Sequence, residues 1–308
     1  MHILDPAQTA LALPYAKLVA AVEQAALQLM NGEINAPERL VVPIDASSVL
    51  LCMPAIGSDI SSTKLITVHG NNAQHALPAI QGEVIVMDTA TGRRLAILDG
   101  PTVTARRTAA VTLLGIQKLA PATPSSALLI GTGVQASAHA DALAEFFGIA
   151  DFRIASRNAA HAQAFCAALS KRHPRVVAAP ISMTELAVQC PDTDLIIALT
   201  TARTAVIPAR LSPNTLAIGV GAFKPDMVEF PAGLLHARPI VVDHLPGAQH
   251  EAGDLLQAGI DWSRVRDISD VVANGIERGE LLPVLKTVGH AAWDLAAARV
   301  AVQSMSCS

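Results

Sequence analysis

The chain has 308 residues, enough for about two domains and for a core that needs neither disulfides nor a metal. Its formal net charge is −4 and it has no cluster of basic residues, so the composition excludes a nucleic-acid-binding protein. The four cysteines form no CxxC pair, and with the histidines they match no zinc pattern. We therefore expect no metal site and a reducing compartment, the cytoplasm.

The composition is unusually apolar, with 51% hydrophobic and 16% charged residues. Either a subunit partner covers part of the surface, or the chain is simply rich in alanine. The first residues lack the basic segment of a signal peptide. The apolar stretch 11–30 is interrupted by Pro14, Lys17 and Glu23. These residues predict an amphipathic helix that does not span a membrane, and we expect no membrane as a partner.

The first third of the chain predicts a mixed α+β region with mostly antiparallel strands. A helix over 15–29 has Pro14 at its start and Gly32 beyond its end. A hairpin turn at 89–92 and a helix over 102–119 are also predicted. The β-like runs are 39–44, 49–53, 64–68, 83–88 and 94–99.

The middle of the chain alternates short apolar runs with helices, which is typical of a doubly wound parallel sheet. The six predicted strands are 127–130, 152–155, 176–179, 195–199, 215–218 and 240–242. The segment 121–125 is predicted to be a hinge between the two domains. The segment 284–303 is predicted to form one long helix that packs on the first domain. We thus predict an α/β protein: a Rossmann-type doubly wound domain over 121–279, and a discontinuous α+β domain over 1–120 and 280–308.

A glycine-rich turn follows the first of these predicted strands. Gly131-Thr132-Gly133-Val134-Gln135-Ala136 has the GxGxxA pattern between a strand and a helix. Gly131 permits the tight turn, Gly133 lets the backbone approach a pyrophosphate, and Ala136 lets the helix pack closely on the strand. The segment predicts a dinucleotide site, and the alternative is an ordinary strand–turn–helix.

The end of the second predicted strand bears on which dinucleotide binds. Sites for NAD usually carry an acid there, whereas this chain has Ser156, Arg157 and Asn158. A cation suits the 2′-phosphate of NADPH, so we expect NADPH, with NADH as the alternative. Arg157 would otherwise be a solvated surface side chain.

Several charged residues predict a site for a small carboxylate. Arg39, Lys64, Arg106 and Arg107 lie among apolar or small residues, where a cation needs an anionic partner. A substrate carboxylate could be that partner, although each cation could equally reach water or pair locally. Asp226 follows the fifth predicted strand, which makes it a candidate polar group near the nicotinamide or a helix cap.

Taken together, these segments resemble the ornithine cyclodeaminase/mu-crystallin family over nearly the full length of the chain. No single segment is decisive, and the resemblance depends on their order and joint presence. The matching segments are 37–39, 53–54, 64–68, 81–82, 98–100, 104–110, 131–136, 286–289 and 294–298.

The resemblance implies a two-domain homodimer whose first domain supplies the substrate site and the dimer contact. The family's substrate-carboxylate residues map onto Arg39, Lys64 and Arg107. The expected cofactor-binding residues are Gly131, Thr132, Gly133, Val134, Gln135, Ser156, Arg157, Asn158, Thr200, Thr201 and Val220.

Within the family, the chain departs from the cyclodeaminase pattern. Cyclodeaminases carry a catalytic Asp where this chain has Gly221, and the loop ending in Asp226 resembles that of the ketimine reductase branch. We therefore predict NADPH-dependent reduction of Δ1-pyrroline-2-carboxylate, Δ1-piperideine-2-carboxylate or both, to L-proline and L-pipecolate. Lys64 and Asp226 are the expected catalytic residues.

Three other functions remain open at this level. An ornithine cyclodeaminase would convert L-ornithine to L-proline and ammonia with bound NAD. An amino-acid dehydrogenase of this family would need ammonia and a keto acid. A crystallin-like protein would keep the cofactor fold without catalysis.

Overall fold

The structure is a computed structural model that describes residues 1–277 and 279–306. Cys307 lies outside the described residues. The chain divides into two compact units, the first formed by Met1–Val111 with His290–Ser308 and the second by Thr112–Gly289.

Strands make up much of the first unit, and strands alternate with helices through most of the second. The strands are β1 (His2–Leu4), β2 (Leu40–Pro43), β3 (Ser48–Ile56), β4 (Ile60–His69), β5 (Ile80–Asp88), β6 (Arg94–Asp99), β7 (Ser126–Ile130), β8 (Asp151–Ser156), β9 (Val177–Ser182), β10 (Leu195–Ala198), β11 (Leu216–Gly219), β12 (Ile240–Val242), β13 (Val265–Asp267) and β14 (Val284–Lys286). The helices are α1 (Pro6–Ala12), α2 (Tyr15–Met30), α3 (Gly100–Leu119), α4 (Val134–Phe146), α5 (Ala159–Arg172), α6 (Met183–Val188), α7 (Ala232–Ala237), α8 (Leu245–Glu251), α9 (Gly253–Ala258), α10 (Ile268–Asn274) and α11 (Ala291–Ser306). Two short 3₁₀ turns cover Asn72–His75 and Trp262–Arg264.

The first unit is built on a six-stranded sheet with the order β1-β6-β5-β4-β3-β2. Its pairs are antiparallel except for β1 with β6. Side chains alternate between faces along a strand, so β3 and β4 turn every second residue toward α11 and leave the others on the opposite face. The predicted β-rich first domain and its 89–92 hairpin are confirmed, although β1 and α1 were not predicted.

The second unit is built on an eight-stranded parallel sheet with the order β13-β12-β14-β11-β10-β7-β8-β9. The central strands are buried on both faces, which accounts for their continuous apolar sequences. All six predicted strands are present, and the doubly wound α/β class is confirmed.

The prediction of one helix over 284–303 is wrong. Val284–Lys286 forms β14, which pairs with β11 and β12 in the middle of the sheet. Gly289 then adopts a φ of +84°, a conformation that ends regular structure, and α11 begins only at Ala291. A short apolar run next to a helix does not reveal by its periodicity that it is a strand.

The division between the units falls inside α3, and not at the predicted hinge 121–125. The second half of α3 packs within the second unit. The Thr112 hydroxyl lies 2.9 Å from His139 Nε2 on α4, and a Cβ on Gly115 would stand 2.3 Å from the Leu285 side chain. Because Thr112 and Gly115 contact residues of the second unit, the second half of α3 belongs to that unit, ahead of the predicted hinge.

Among the described residues, no single helix combines the length and the apolar composition needed to cross a membrane. The pair α1 and α2, bent by 70° at their junction, meets both criteria only when the two helices are taken together, and by length and composition alone.

Candidate functional site

A cavity of about 860 Å³ opens at the carboxyl ends of β7, β8 and β10 in the second unit. Ligands of doubly wound sheets bind beyond this edge, where the strand order reverses. The cavity therefore has the position and the size expected of a small-molecule site. The predicted cofactor residues that line it are Gly131, Thr132, Gly133, Ser156, Arg157, Asn158, Thr200 and Thr201.

The glycine turn has the geometry that a pyrophosphate requires. Gly131 has a φ of +122°, and a Cβ there would stand 2.6 Å from the carbonyl oxygen of Leu199. A Cβ on Gly133 would instead enter open space beside the cavity. Gly133 is also the N-cap of α4, and no side chain caps that helix. The first N–H groups of α4 thus suit an anion, and the turn fits a bound dinucleotide.

Three of the predicted cofactor residues are not among those that line the cavity. Val134 is exposed in the first turn of α4, and Gln135 is half-buried beside it. Val220 is buried after β11, where its N–H donates to the carbonyl oxygen of Ala198 at 3.0 Å. Their role in cofactor binding stays a prediction.

At the end of β8, the side chains that line the cavity are polar or basic, and none of them is a carboxylate. The Asn158 side chain caps α5 by accepting from the N–H of Ala160 at 2.9 Å. Arg157 is exposed next to it, and His161 in the first turn of α5 lines the same cavity. His161 was not predicted from the sequence. Its position in the first helical turn after β8 was the available signal, because that turn lies at the same edge of the sheet as residues 156–158.

Asp226 lies in the loop after β11 but does not line the cavity. Its side chain is 54% exposed and pairs with Arg203 at 2.9 Å. Arg203 itself lines the cavity, so Asp226 stands one side chain away from the lining.

Gly221, in the same loop, is packed directly against the backbone of Thr200. A Cβ at this position would stand 2.0 Å from the Thr200 carbonyl oxygen and 2.3 Å from its nitrogen. Because both atoms belong to the main chain, no side-chain rotation could make room. With this backbone, position 221 accepts glycine alone.

The first unit contains a buried ionic cluster formed by Lys64, Arg107 and Asp294. Lys64 lies on β4 among side chains that face α11, and its Nζ is 3.0 Å from either carboxylate oxygen of Asp294. Arg107 reaches the same carboxylate from α3, with Nε 3.0 Å from Oδ1. With Lys64 protonated, the three groups carry a net charge of +1. A buried excess of positive charge favours a bound anion such as a substrate carboxylate.

The environment of Lys64 weakens its hold on a proton. Burial disfavours the charged amine and lowers the pKa of Lys64 from 10.5 to about 7. The positive charges of Arg107 and Arg39 contribute to this lowering of the pKa, while Asp294 opposes it. Lys64 can therefore gain and lose a proton near neutral pH.

The structure separates Arg106 from this cluster. Its Nε donates to the carbonyl oxygen of Leu13 at 2.8 Å, and its guanidinium lies 4.0 Å from the centre of the Tyr15 ring. Arg106 thus links α3 to the start of α2. Arg39 stands just before β2, close enough to influence the Lys64 pKa.

Asp294 is the residue of this cluster that sequence reasoning did not single out. It lies within an alanine-rich helix, α11, and is fully buried. An acid in so apolar a helix needs a buried cation as partner, and that was the available signal.

Comparisons with known proteins agree with this geometry. The model of the ornithine cyclodeaminase/mu-crystallin family matches residues 4–307. A Δ1-pyrroline-2-carboxylate/Δ1-piperideine-2-carboxylate reductase from Azospirillum brasilense is 45% identical over 306 residues, covering 99% of this chain and 96% of the relative. Δ1-pyrroline-2-carboxylate reductase 2 from Burkholderia ambifaria is 46% identical over 299 residues, covering 96% and 94%. Among solved structures, the Thermococcus litoralis Δ1-pyrroline-2-carboxylate reductase in complex with NADH and L-proline gives a TM-score of 0.89 at 25% identity, covering 98% of this chain and 97% of that one.

Proposed function

Because the chain belongs to the ornithine cyclodeaminase/mu-crystallin family, we propose that it reduces the C=N bond of a cyclic α-imino acid with NADPH. The substrates would be Δ1-pyrroline-2-carboxylate, Δ1-piperideine-2-carboxylate or both, and the products L-proline and L-pipecolate. The buried pair Lys64 and Arg107 carries this proposal, since it provides a carboxylate site in a chain that also has a dinucleotide cavity. The relatives from Azospirillum and Burkholderia support the substrate class.

The reaction adds a hydride to the imine carbon and a proton to the imine nitrogen. A reduced nicotinamide dinucleotide, held by Gly131, Gly133 and Thr200, would supply the hydride. Arg107 and Arg39 hold the substrate carboxylate, because guanidinium groups match its two oxygens. Lys64 holds the proton at Nζ and donates it to the ring nitrogen as the C=N π pair becomes an N–H bond. Asp294 fixes both Lys64 and Arg107 through its two oxygens.

We assign the proton to Lys64 and not to Asp226. The lowered pKa of Lys64, about 7, suits a general acid at neutral pH. Asp226 is half-exposed, its carboxylate is engaged by Arg203, and it does not line the cavity, so it is not positioned to reach the imine nitrogen.

Gly221 argues against the ornithine cyclodeaminase alternative. A catalytic Asp at this position would need a Cβ where the Thr200 backbone stands. The cation pair of the substrate site is meanwhile intact, which argues against a crystallin-like protein without catalysis.

We further propose NADPH as the preferred cofactor and a homodimer as the assembly. Arg157 at the cavity supports the first, because a cation at this strand end suits a 2′-phosphate, and His161 beside it can donate a hydrogen bond to the same group. The sheet face turned away from α11 supports the second. It exposes Leu65 by 42% and Ile56 by 47%, next to the exposed edge strand β2. An apolar sheet face of this kind is typical of a subunit contact, and a second copy of the chain offers a matching surface.

Purified protein is expected to oxidise NADPH when Δ1-pyrroline-2-carboxylate or its six-membered analogue is added. Lys64→Ala and Arg107→Ala should each lower kcat/KM for the imine about 10- to 100-fold, because each removes a charge-assisted hydrogen bond. Cofactor affinity should be unchanged, and so should the activity of Lys17→Ala, an exposed lysine on α2. Absorbance of the reduced nicotinamide measures turnover. An enzyme inactive on both rings would exclude the reductase function.

The pH dependence of kcat/KM should report the acid form of Lys64. A lysine is active as an acid only while protonated, so kcat/KM should be level below pH 7 and fall as pH rises through about 7. Lys64→Arg should remove this fall, since arginine keeps its proton throughout the range. A wild-type profile that stays flat to pH 9 would contradict the assignment.

Cofactor preference should depend on Arg157. Arg157→Ala is expected to weaken NADPH binding about tenfold and to leave NADH binding nearly unchanged, because the guanidinium is placed to pair with the extra phosphate. Arg153→Ala, which removes an arginine on β8 itself, is the matched control and should change the affinity for neither cofactor. Titration calorimetry with both cofactors measures the two affinities. Equal losses for NADPH and NADH would refute the role.

The oligomeric state should depend on the apolar sheet face. The wild type is expected to sediment at twice its chain mass of 32.0 kDa, and Leu65→Glu at the mass of one chain. Val188→Glu places the same charge at an exposed apolar residue of the second unit and should leave the assembly intact. Sedimentation velocity distinguishes these outcomes, and a dimeric Leu65→Glu would place the contact elsewhere.

A further inference from the structure

A fully buried carboxylate, Glu229, lies between β11 and α7 in the second unit. Its Oε1 accepts from the backbone N–H of Thr200 at 2.7 Å and from the Thr200 hydroxyl at 3.0 Å. Its Oε2 accepts from the backbone N–H groups of Gly221 at 2.8 Å and Ala222 at 3.1 Å. One side chain thus ties the loop after β10 to the loop after β11.

The charge of Glu229 is compensated from β14. Lys286 Nζ lies 3.8 Å from Glu229 Oε2 and 2.9 Å from the carboxylate of Asp254 on α9. Asp254 in turn accepts from the backbone N–H groups of Glu229 and Phe230. Burial raises the pKa of Glu229 to about 7, whereas Lys286 and the Thr200 N–H favour its ionised form. All four donors around the carboxyl group face an oxygen, which is the arrangement that suits a carboxylate.

The backbone around Glu229 is packed too closely to shift. Besides Gly221 against Thr200, a Cβ on Gly253 would stand 2.2 Å from the carbonyl oxygen of Met227. The packing leaves the two loops no room to adjust, so a change in the hydrogen bonds of Glu229 acts directly on Thr200 and on the 221–222 backbone.

The strand order of the sheet indicates which half of a bound dinucleotide would lie beside the loops after β10 and β11. In a doubly wound sheet each half binds one mononucleotide, on either side of the point where the order reverses. The glycine turn after β7 and the residues 156–158 after β8 belong to the half that receives the 2′-phosphate. Thr200 and Gly221 follow β10 and β11, in the other half, and Thr200 lines the cavity.

We propose that Glu229 is a positioning residue for the nicotinamide half of the cofactor, which it serves by fixing Thr200 and the 221–222 backbone. Lys286 favours the charged form of this carboxylate inside the fold, and Asp254 holds Lys286 in place. The proposal rests on the proposed dinucleotide binding. Neither Glu229 nor Lys286 touches the cavity, so both act through the loops.

The test compares a whole cofactor with its adenosine half. Glu229→Gln keeps the side-chain shape but turns one oxygen into an N–H donor that faces other donors. We expect Glu229→Gln to weaken binding of NADPH about tenfold and to leave binding of 2′,5′-ADP unchanged. Glu280→Gln, an exposed glutamate in the same unit, is the matched control. Titration calorimetry gives all the affinities, and if the wild type binds NADH more tightly, NADH and ADP replace the two ligands.

A milder variant keeps the test valid if Glu229→Gln folds poorly. Glu229→Asp keeps the charge that Lys286 compensates but shortens the side chain, so that one carboxylate can no longer reach both loops. Glu229→Asp should weaken NADPH about threefold without affecting 2′,5′-ADP, and Glu280→Gln should again bind both ligands as the wild type does.

The outcomes separate this inference from the proposed function. Equal losses for the whole cofactor and its adenosine half would show general damage to the fold and would overturn the inference. An unchanged NADPH affinity in Glu229→Gln, or in Glu229→Asp where Glu229→Gln does not fold, would overturn it as well. A wild type that binds all four nucleotides but reduces neither imine would overturn the proposed reaction alone.

Discussion

A buried charge needs a partner of opposite sign, and both units are organised around this constraint. In the first unit, Asp294 on α11 holds Lys64 and Arg107 against the apolar face of the sheet. In the second, Lys286 on β14 lies between two buried acids, and one of them fixes the loops beside the dinucleotide cavity. Removing one member of such a group leaves the others buried without compensation, which is costly. In each unit, the apolar core and the ligand-binding residues therefore depend on the same few ionic contacts.

Much of the fold could be predicted because its signals are local. Runs of β-forming residues and the 89–92 turn predicted β2 to β6, and short apolar runs between helices predicted six strands of the parallel sheet. The glycine turn was predictable because its conformation depends on the residues themselves: Gly131 adopts the positive φ that its position requires. The family could also be predicted, because the residues that resemble it lie in short local segments, and the family model matches the chain from residue 4 to 307.

The remainder depends on contacts between residues far apart in the chain. β14 is three residues long, and only its two neighbouring strands make it a strand. Asp294 is recognisable as a site residue only beside Lys64, which precedes it by 230 positions. In the loop after β11, sequence reasoning chose Asp226, but the carboxylate that organises that loop is Glu229, three residues later. Spacing could not distinguish the exposed acid from the buried one, because the difference lies in what surrounds each side chain.

The contact between Gly221 and the Thr200 backbone limits how the loop after β11 can vary in sequence. Acquiring an acid at position 221 requires the two loops to separate first, since the Cβ alone would overlap the Thr200 carbonyl. A residue with a Cβ can therefore enter position 221 only after a second change has moved the loop after β10 or the loop after β11. Variation at position 221 thus needs at least two changes in the sequence, and the change in the loop has to come first.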